Sequence, residues 1–236
     1  MVKENLTKVD PYRVERMTGF NEGKILVDGN TAAALGALFG GVTVTAWYPI
    51  TPSSSLAETI SQYGPKLRTD PDTGKATYAV IQAEDELAAA GMVIGAGWAG
   101  ARAMTATSGP GISLMSEFAR PGLLRRNSLG DLGHSAHGAE HRSAHPHWSG
   151  RYSVGVLRQP RRHAHVVLLP STPTECFEFA NTAFDLAEQL QTLVFVLSDL
   201  DLGMNMHICD QFEYPEQPLN RGKVLTAEQL NELGGS

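Results

Sequence analysis

Three short stretches combine polar side chains with turn-forming residues in a way that could serve chemistry. YPITPSSS (48–55) turns out of an apolar run through two prolines into a serine cluster. Thr51 there can offer a hydroxyl beside free helix N–H groups, a seat for a carboxylate. QAEDELAAAG (82–91) sets Glu84 where an apolar run gives way to a small-residue helix, and TATSGPGIS (105–113) passes through a glycine–proline turn that lets a ligand approach closely. Each alone has a plainer reading: a rigid turn with an N-cap, an acid favoured by the helix dipole, a tight turn. A fourth stretch, HSAHGAEHRSAHPHW (134–148), holds five of the eight histidines and raises the question of a metal site.

The elements that must position these groups read as α/β. TVTAWYPI (43–50), TYAVIQ (77–82), RAMTAT (102–107), HVVLLP (165–170) and TLVFVLSD (192–199) suit short strands buried on both faces. Helical stretches lie between them: SSSLAETISQYG with serines able to cap, DELAAAGMVIGAGWAG with small residues, and PTECFEFANTAFDLAEQL with Pro173 in its first turn. DPDTGK (70–75) reads as a turn. Alternating strands and helices predict a parallel sheet with helices on both faces, with ligands at the carboxyl ends of the strands. PEQPLNRGKVLTAEQLNELGGS at the end is polar and reads as a loop, and residues 120–164 show neither a strand-like run nor a helical period.

The chain has 236 residues, enough for one large or two small domains. Its net charge of −6 argues against nucleic acid or an anionic membrane as partner. The two cysteines, Cys176 and Cys209, lack the spacing of a cluster or zinc site. The start lacks a signal-like apolar run, and Leu87 to Ala101 is too short to span a bilayer, so a cytoplasmic protein is expected.

Taken together, YPITPSSS, QAEDELAAAGMVIGAGWAGARAMTATSGPGISLMSEF and FVLSDLDLGMN resemble the α-chain of 2-oxoacid:ferredoxin oxidoreductases, most closely the 2-oxoglutarate type. The resemblance covers about residues 23–118 and 165–228. It implies a thiamine-diphosphate-binding fold, with a lead-in at 1–22, the pyrimidine-binding domain at 23–212 and, over 213–236, a linker to a C-terminal domain missing from this chain. It also implies roles. Glu84 would hydrogen-bond N1′ of the aminopyrimidine, Tyr48, Pro49 and Ile50 would line that ring, and Thr51 would bind the substrate carboxylate. A partner β-chain would hold the diphosphate with Mg²⁺ and carry an iron–sulfur cluster, while coenzyme A takes the acyl group and ferredoxin the electrons.

The same resemblance addresses the histidine tract. In the family this stretch should read GLAYFAEIP, VIWDIQR and MGPSTGLPTRT–QGD, the IQR arginine binding substrate. Permitted codons for Gly130–Tyr152, read one nucleotide later, give VIWDIQRMGPST and then GLPTRTGQGD; Arg120–Ser128 can likewise give GLAYFAEIP, and Pro160–Ala164 HGDTR. A compensated frameshift is therefore expected, entering near Ala119 and leaving near His165. Ala136 stands where the substrate arginine belongs, and impaired folding and activity would follow. The histidines then are no designed metal site, since their HxxH and HxH pairs carry no supporting residues. Two other readings stand beside this one: a non-catalytic His-rich metal-binding module and a regulatory α/β ligand-binding domain.

Overall fold

The computed structural model describes residues 18–118, 139–142, 165–222 and 227–232. Its first element, β1 (Lys24–Val27), leads into α1 (Gly29–Phe39), where the Asp28 carboxylate caps the helix by accepting from Thr31 N–H at 2.7 Å. Ala32, Ala34 and Ala37 are wholly buried in α1, and an apolar helix without a polar face belongs in a core. Its small residues let α5 (Pro173–Leu190) approach at backbone distance: a Cβ on Gly36 would lie 2.1 Å from the Phe177 carbonyl oxygen. Phe177, Ala180 and Phe184 of α5 join α1 and Leu56 and Ile60 of α2 (Ser54–Leu67) in the main core. Because the apolar residues of α1 follow no helical period, its sequence carries no amphipathic signal.

The runs expected to be strands do form them. β2 (Val44–Trp47), β3 (Ala79–Gln82) and β4 (Ala103–Met104) make a parallel ladder in the order β3-β2-β4. Helices α2, α3 (Glu86–Trp98) and α4 (Gly109–Leu114) follow these strands in turn, a 3₁₀ turn at Met115–Glu117 closing the last. A second parallel ladder, β5-β7-β6, joins β5 (Ala139–Arg142), β6 (Val166–Leu168) and β7 (Val194–Asp199). After β7 comes α6 (Leu200–Met204), capped by Asp199, then β8 (His207–Asp210), which pairs antiparallel with β1. The chain's described part ends with α7 (Ala227–Glu232). Among the described residues no helix is long and apolar enough to cross a membrane.

The expected α/β fold of parallel strands and helices is present, its described strands forming two parallel ladders and an antiparallel ribbon. Several expectations of detail need correction. β3 is not buried on both faces, because it is the edge of its ladder and leaves Ala79, Ile81 and Gln82 exposed. The stretch 120–164, expected to lack a strand, supplies β5; a ladder bonds through the backbone, so β7 can be paired by a segment without strand-like side chains. Otherwise the histidine tract, Ala136 and the reading-frame expectation lie outside the described residues. The polar tail is not all loop: α7 forms in it from good helix formers, and its earlier part packs on the domain. Arg221 donates to the Gly100 carbonyl at 2.7 Å, and just before the tail Tyr214 meets Phe39 edge to face at 4.9 Å.

Candidate active site

Because β2 lies between β3 and β4 and all three run parallel, their carboxyl ends open on one edge of the ladder. Trp47 stands opposite Gln82, and Ala83 N–H continues the ladder to the Trp47 carbonyl at 2.7 Å. Three turns therefore converge there: 48–53 after β2, 83–85 after β3 and 105–108 after β4. These contain the three stretches singled out above.

The first turn presents Thr51 to solvent, with Tyr48 and Ile50 half-buried and Pro49 exposed. Its serines do not cap α2 as expected. Ser53 has helical backbone angles and makes no capping bond, so its hydroxyl turns back to the Ile50 carbonyl at 3.1 Å, as does that of Ser54. Ile50 N–H in turn donates to Ser54 Oγ at 3.0 Å. Thr51–Pro52 is a cis peptide bond.

The second turn separates its acids. Glu84 is exposed, while Asp85 caps α3, its carboxylate accepting from Ala88 N–H at 2.6 Å. Glu86 is 8% exposed in the first turn of α3, where the helix dipole favours its charge. Burial makes this carboxylate, rather than Glu84, the one withdrawn from water. Sequence reasoning missed it. The signal was the helix register: in QAEDELAAAG only the acid that lies inside the helix can be covered by the turn that packs on α3.

That covering turn is TSGPG. A Cβ on Gly111 would stand 3.1 Å from Glu86 Cγ and 2.0 Å from Thr107 Oγ1, so the glycine admits both side chains against its backbone. Thr105 and Thr107 are 5% and 1% exposed, and neither hydroxyl has a hydrogen-bond partner. Buried hydroxyls without partners are costly and need an explanation, which a bound polar ligand would supply. A buried carboxylate with the unsatisfied Thr107 hydroxyl across Gly111 suits a small heterocycle that gives and accepts hydrogen bonds. Among the described residues no group of three or more His, Cys, Asp or Glu is arranged to hold a metal ion.

Known proteins share these stretches. Residues 35–121 match the family described as pyruvate flavodoxin/ferredoxin oxidoreductase, thiamine diP-bdg. The chain is 38% identical to the 2-oxoacid:ferredoxin oxidoreductase subunit alpha of Saccharolobus solfataricus over 90% of this chain and 34% of that protein. It is 34% identical to the 2-oxoglutarate synthase subunit KorA of Methanothermobacter thermautotrophicus over 81% of this chain and 48% of the relative. A solved 2-oxoglutarate:ferredoxin oxidoreductase from Magnetococcus marinus, with 2-oxoglutarate, coenzyme A and succinyl-CoA bound, superposes with a TM-score of 0.72 at 26% identity. That match covers 95% of this chain and 38% of the other. The chain thus spans about a third to a half of the length of these relatives. Its fold is that of a thiamine-diphosphate-binding domain, and along most of its length the chain is similar to 2-oxoacid:ferredoxin oxidoreductase α subunits.

Proposed function

We propose that this chain contributes the aminopyrimidine half of a thiamine diphosphate site in a cytoplasmic 2-oxoacid oxidoreductase, with 2-oxoglutarate the favoured substrate. A β subunit holds the diphosphate through Mg²⁺ and carries an iron–sulfur cluster. The assembled enzyme converts the 2-oxoacid to CO₂ and acyl-coenzyme A and passes electrons to ferredoxin. The observation that carries this reading is the packing of the turn after β4 on one buried carboxylate, Glu86, beside the unsatisfied hydroxyl of Thr107, at the edge of the ladder where the turn after β2 also opens.

When bound, thiamine diphosphate supplies the carbon nucleophile and the electron sink for loss of CO₂. The chain's own groups do the rest of what this half requires. The buried acid shares a proton with N1′ of the pyrimidine, and its desolvation keeps that hydrogen bond strong. Burial favours Glu86 for this role over the exposed Glu84 two residues before it. Tyr48, Pro49 and Ile50 wall the ring, and Thr51 offers its hydroxyl to the substrate carboxylate from an exposed position. The arginine that would also bind that carboxylate is absent where Ala136 stands, so we propose that the chain as written turns over poorly or not at all.

The test uses a chain with residues 119–165 restored to the alternative frame and assembled with a family β subunit. Glu86→Gln should lower kcat by a factor on the order of 10²–10⁴, the range for losing a positioned proton-transfer group, with Glu84→Gln nearly silent. The reverse pattern would move the role to Glu84. Full turnover in both variants would sink the reading.

A further inference from the structure

Thr51 is exposed, yet the backbone on both sides of it is tied down. Ile50 is held by the hydroxyls of Ser53 and Ser54 from its own turn. Pro52 is held from elsewhere. Asn30, 2% exposed near the start of α1, donates one Nδ2 hydrogen bond to the Pro52 carbonyl at 2.9 Å and another to Ser55 Oγ at 2.8 Å. Ser55 Oγ also donates weakly to the same carbonyl at 3.4 Å, closing a small network.

We infer that Asn30 is a positioning residue for substrate: it fixes the turn that carries Thr51 and so sets where the Thr51 hydroxyl meets the carboxylate of the 2-oxoacid. An amide is suited to this because its NH₂ group donates twice from one rigid plane. Neither carboxylate nor hydroxyl can do the same, the first having no donor and the second only one. The anchor itself is firm. Gly29 brings α1 so close to the segment after β7 that an added Cβ would lie 2.6 Å from the Leu202 carbonyl oxygen. The end of β7 and the turn after β2 are thereby held in one register through Gly29 and Asn30. For its substrate-facing half this inference rests on the function proposed above.

The experiment has two readouts. In the chain as it exists, hydrogen exchange is followed at Ile50 and Ser54, with α5 as internal reference. Asn30→Ala should speed exchange in the turn by about tenfold, the worth of a buried hydrogen bond or slightly more, and leave α5 unchanged. In the frame-restored chain with its β subunit, the same variant should raise KM for the 2-oxoacid by about tenfold without weakening thiamine diphosphate binding, and should add nothing once Thr51→Ala is present. Asn30→Asp should behave as Asn30→Ala. If Asn30→Ala does not fold, Ser55→Ala removes one acceptor and should give a smaller effect of the same kind. Unchanged exchange in the turn would overturn the clamp, and a KM effect that persists in full on top of Thr51→Ala would overturn its link to substrate. A restored enzyme inert toward every 2-oxoacid would overturn the functional reading and that link together, with the exchange result still deciding the clamp.

Discussion

Arg102 and Glu188 form an ion pair of 2.7 Å between Nη2 and Oε2 with both side chains almost wholly withdrawn from solvent. They come from the start of β4 and the last turn of α5, and the guanidinium is satisfied further by Asp185 at 2.7 Å and the carbonyls of Gly40 and Asn220 at 2.7 and 2.9 Å. Arg221 reaches the other Glu188 oxygen at 3.0 Å. The pair thus fastens the segment around residue 220 to the end of the ladder away from the three turns. Glu188→Ala takes away the buried partner and leaves Arg102 only the half-buried Asp185 and two carbonyls. It should cost about 1.5–3 kcal/mol, the worth of hydrogen bonds to a charged group. Denaturant unfolding of the variant checks this; a loss below 1 kcal/mol would mean that water reaches Arg102 freely.

Gly111→Ala tests the packing of the TSGPG turn on α3. The added methyl carbon collides with Thr107 and presses on Glu86, an overpacking cost of about 1–3 kcal/mol. In the frame-restored complex the displaced acid should weaken thiamine diphosphate binding by about tenfold, read by titration. Binding at the original strength would show that the acid and its neighbouring hydroxyls lie outside the coenzyme site.

The two thiols should differ in reactivity. Burial, and then the charges of Glu175, Asp199 and Asp28, push Cys176 up from 9.0 to about 12, whereas Cys209 is raised while only half-buried. The thiolate is the reactive form, so iodoacetamide at pH 8 should label Cys209 first and Cys176 only on unfolding. Because the folded state holds the Cys176 proton more tightly than the unfolded chain, its contribution to stability is whole below pH 9.0 and is lost as pH rises towards about 12. Equal labelling of both cysteines in the folded protein would contradict the burial of Cys176.

Sequencing the gene across codons 119–165 tests the proposed change of frame. A single-nucleotide shift entering near Ala119 and reversed near His165 should yield VIWDIQR and the segments around it. Expressed side by side with a β subunit, only the restored chain should oxidise a 2-oxoacid. Equal turnover by the chain as written would refute the proposal.

Much of this fold is written locally. A strand such as VFVLSD (194–199) or a helix such as PTECFEFANTAFDLAEQL announces itself because burial selects side chains at a period of two or 3.6, and Thr172 and Pro173 mark where the helix begins. Two of the three chemically capable turns are legible as proline, glycine and serine punctuation after apolar runs, and the third as acids at the end of one. What no local pattern could show is which groups from distant positions share a volume. Asn30 looks like an ordinary polar residue until α1 is laid beside the turn after β2. Arg102 and Glu188, 86 positions apart, read as surface charges until the chain closes over them. Of the neighbouring acids Glu84 and Glu86, composition cannot choose, whereas the Gly111 turn packed on α3 buries one and leaves the other in water. The sequence alone determined the elements and the chemistry they could carry, because both depend on neighbours along the chain. Which of the two acids is withdrawn from water is set by neighbours in space, and only the tertiary structure decided that.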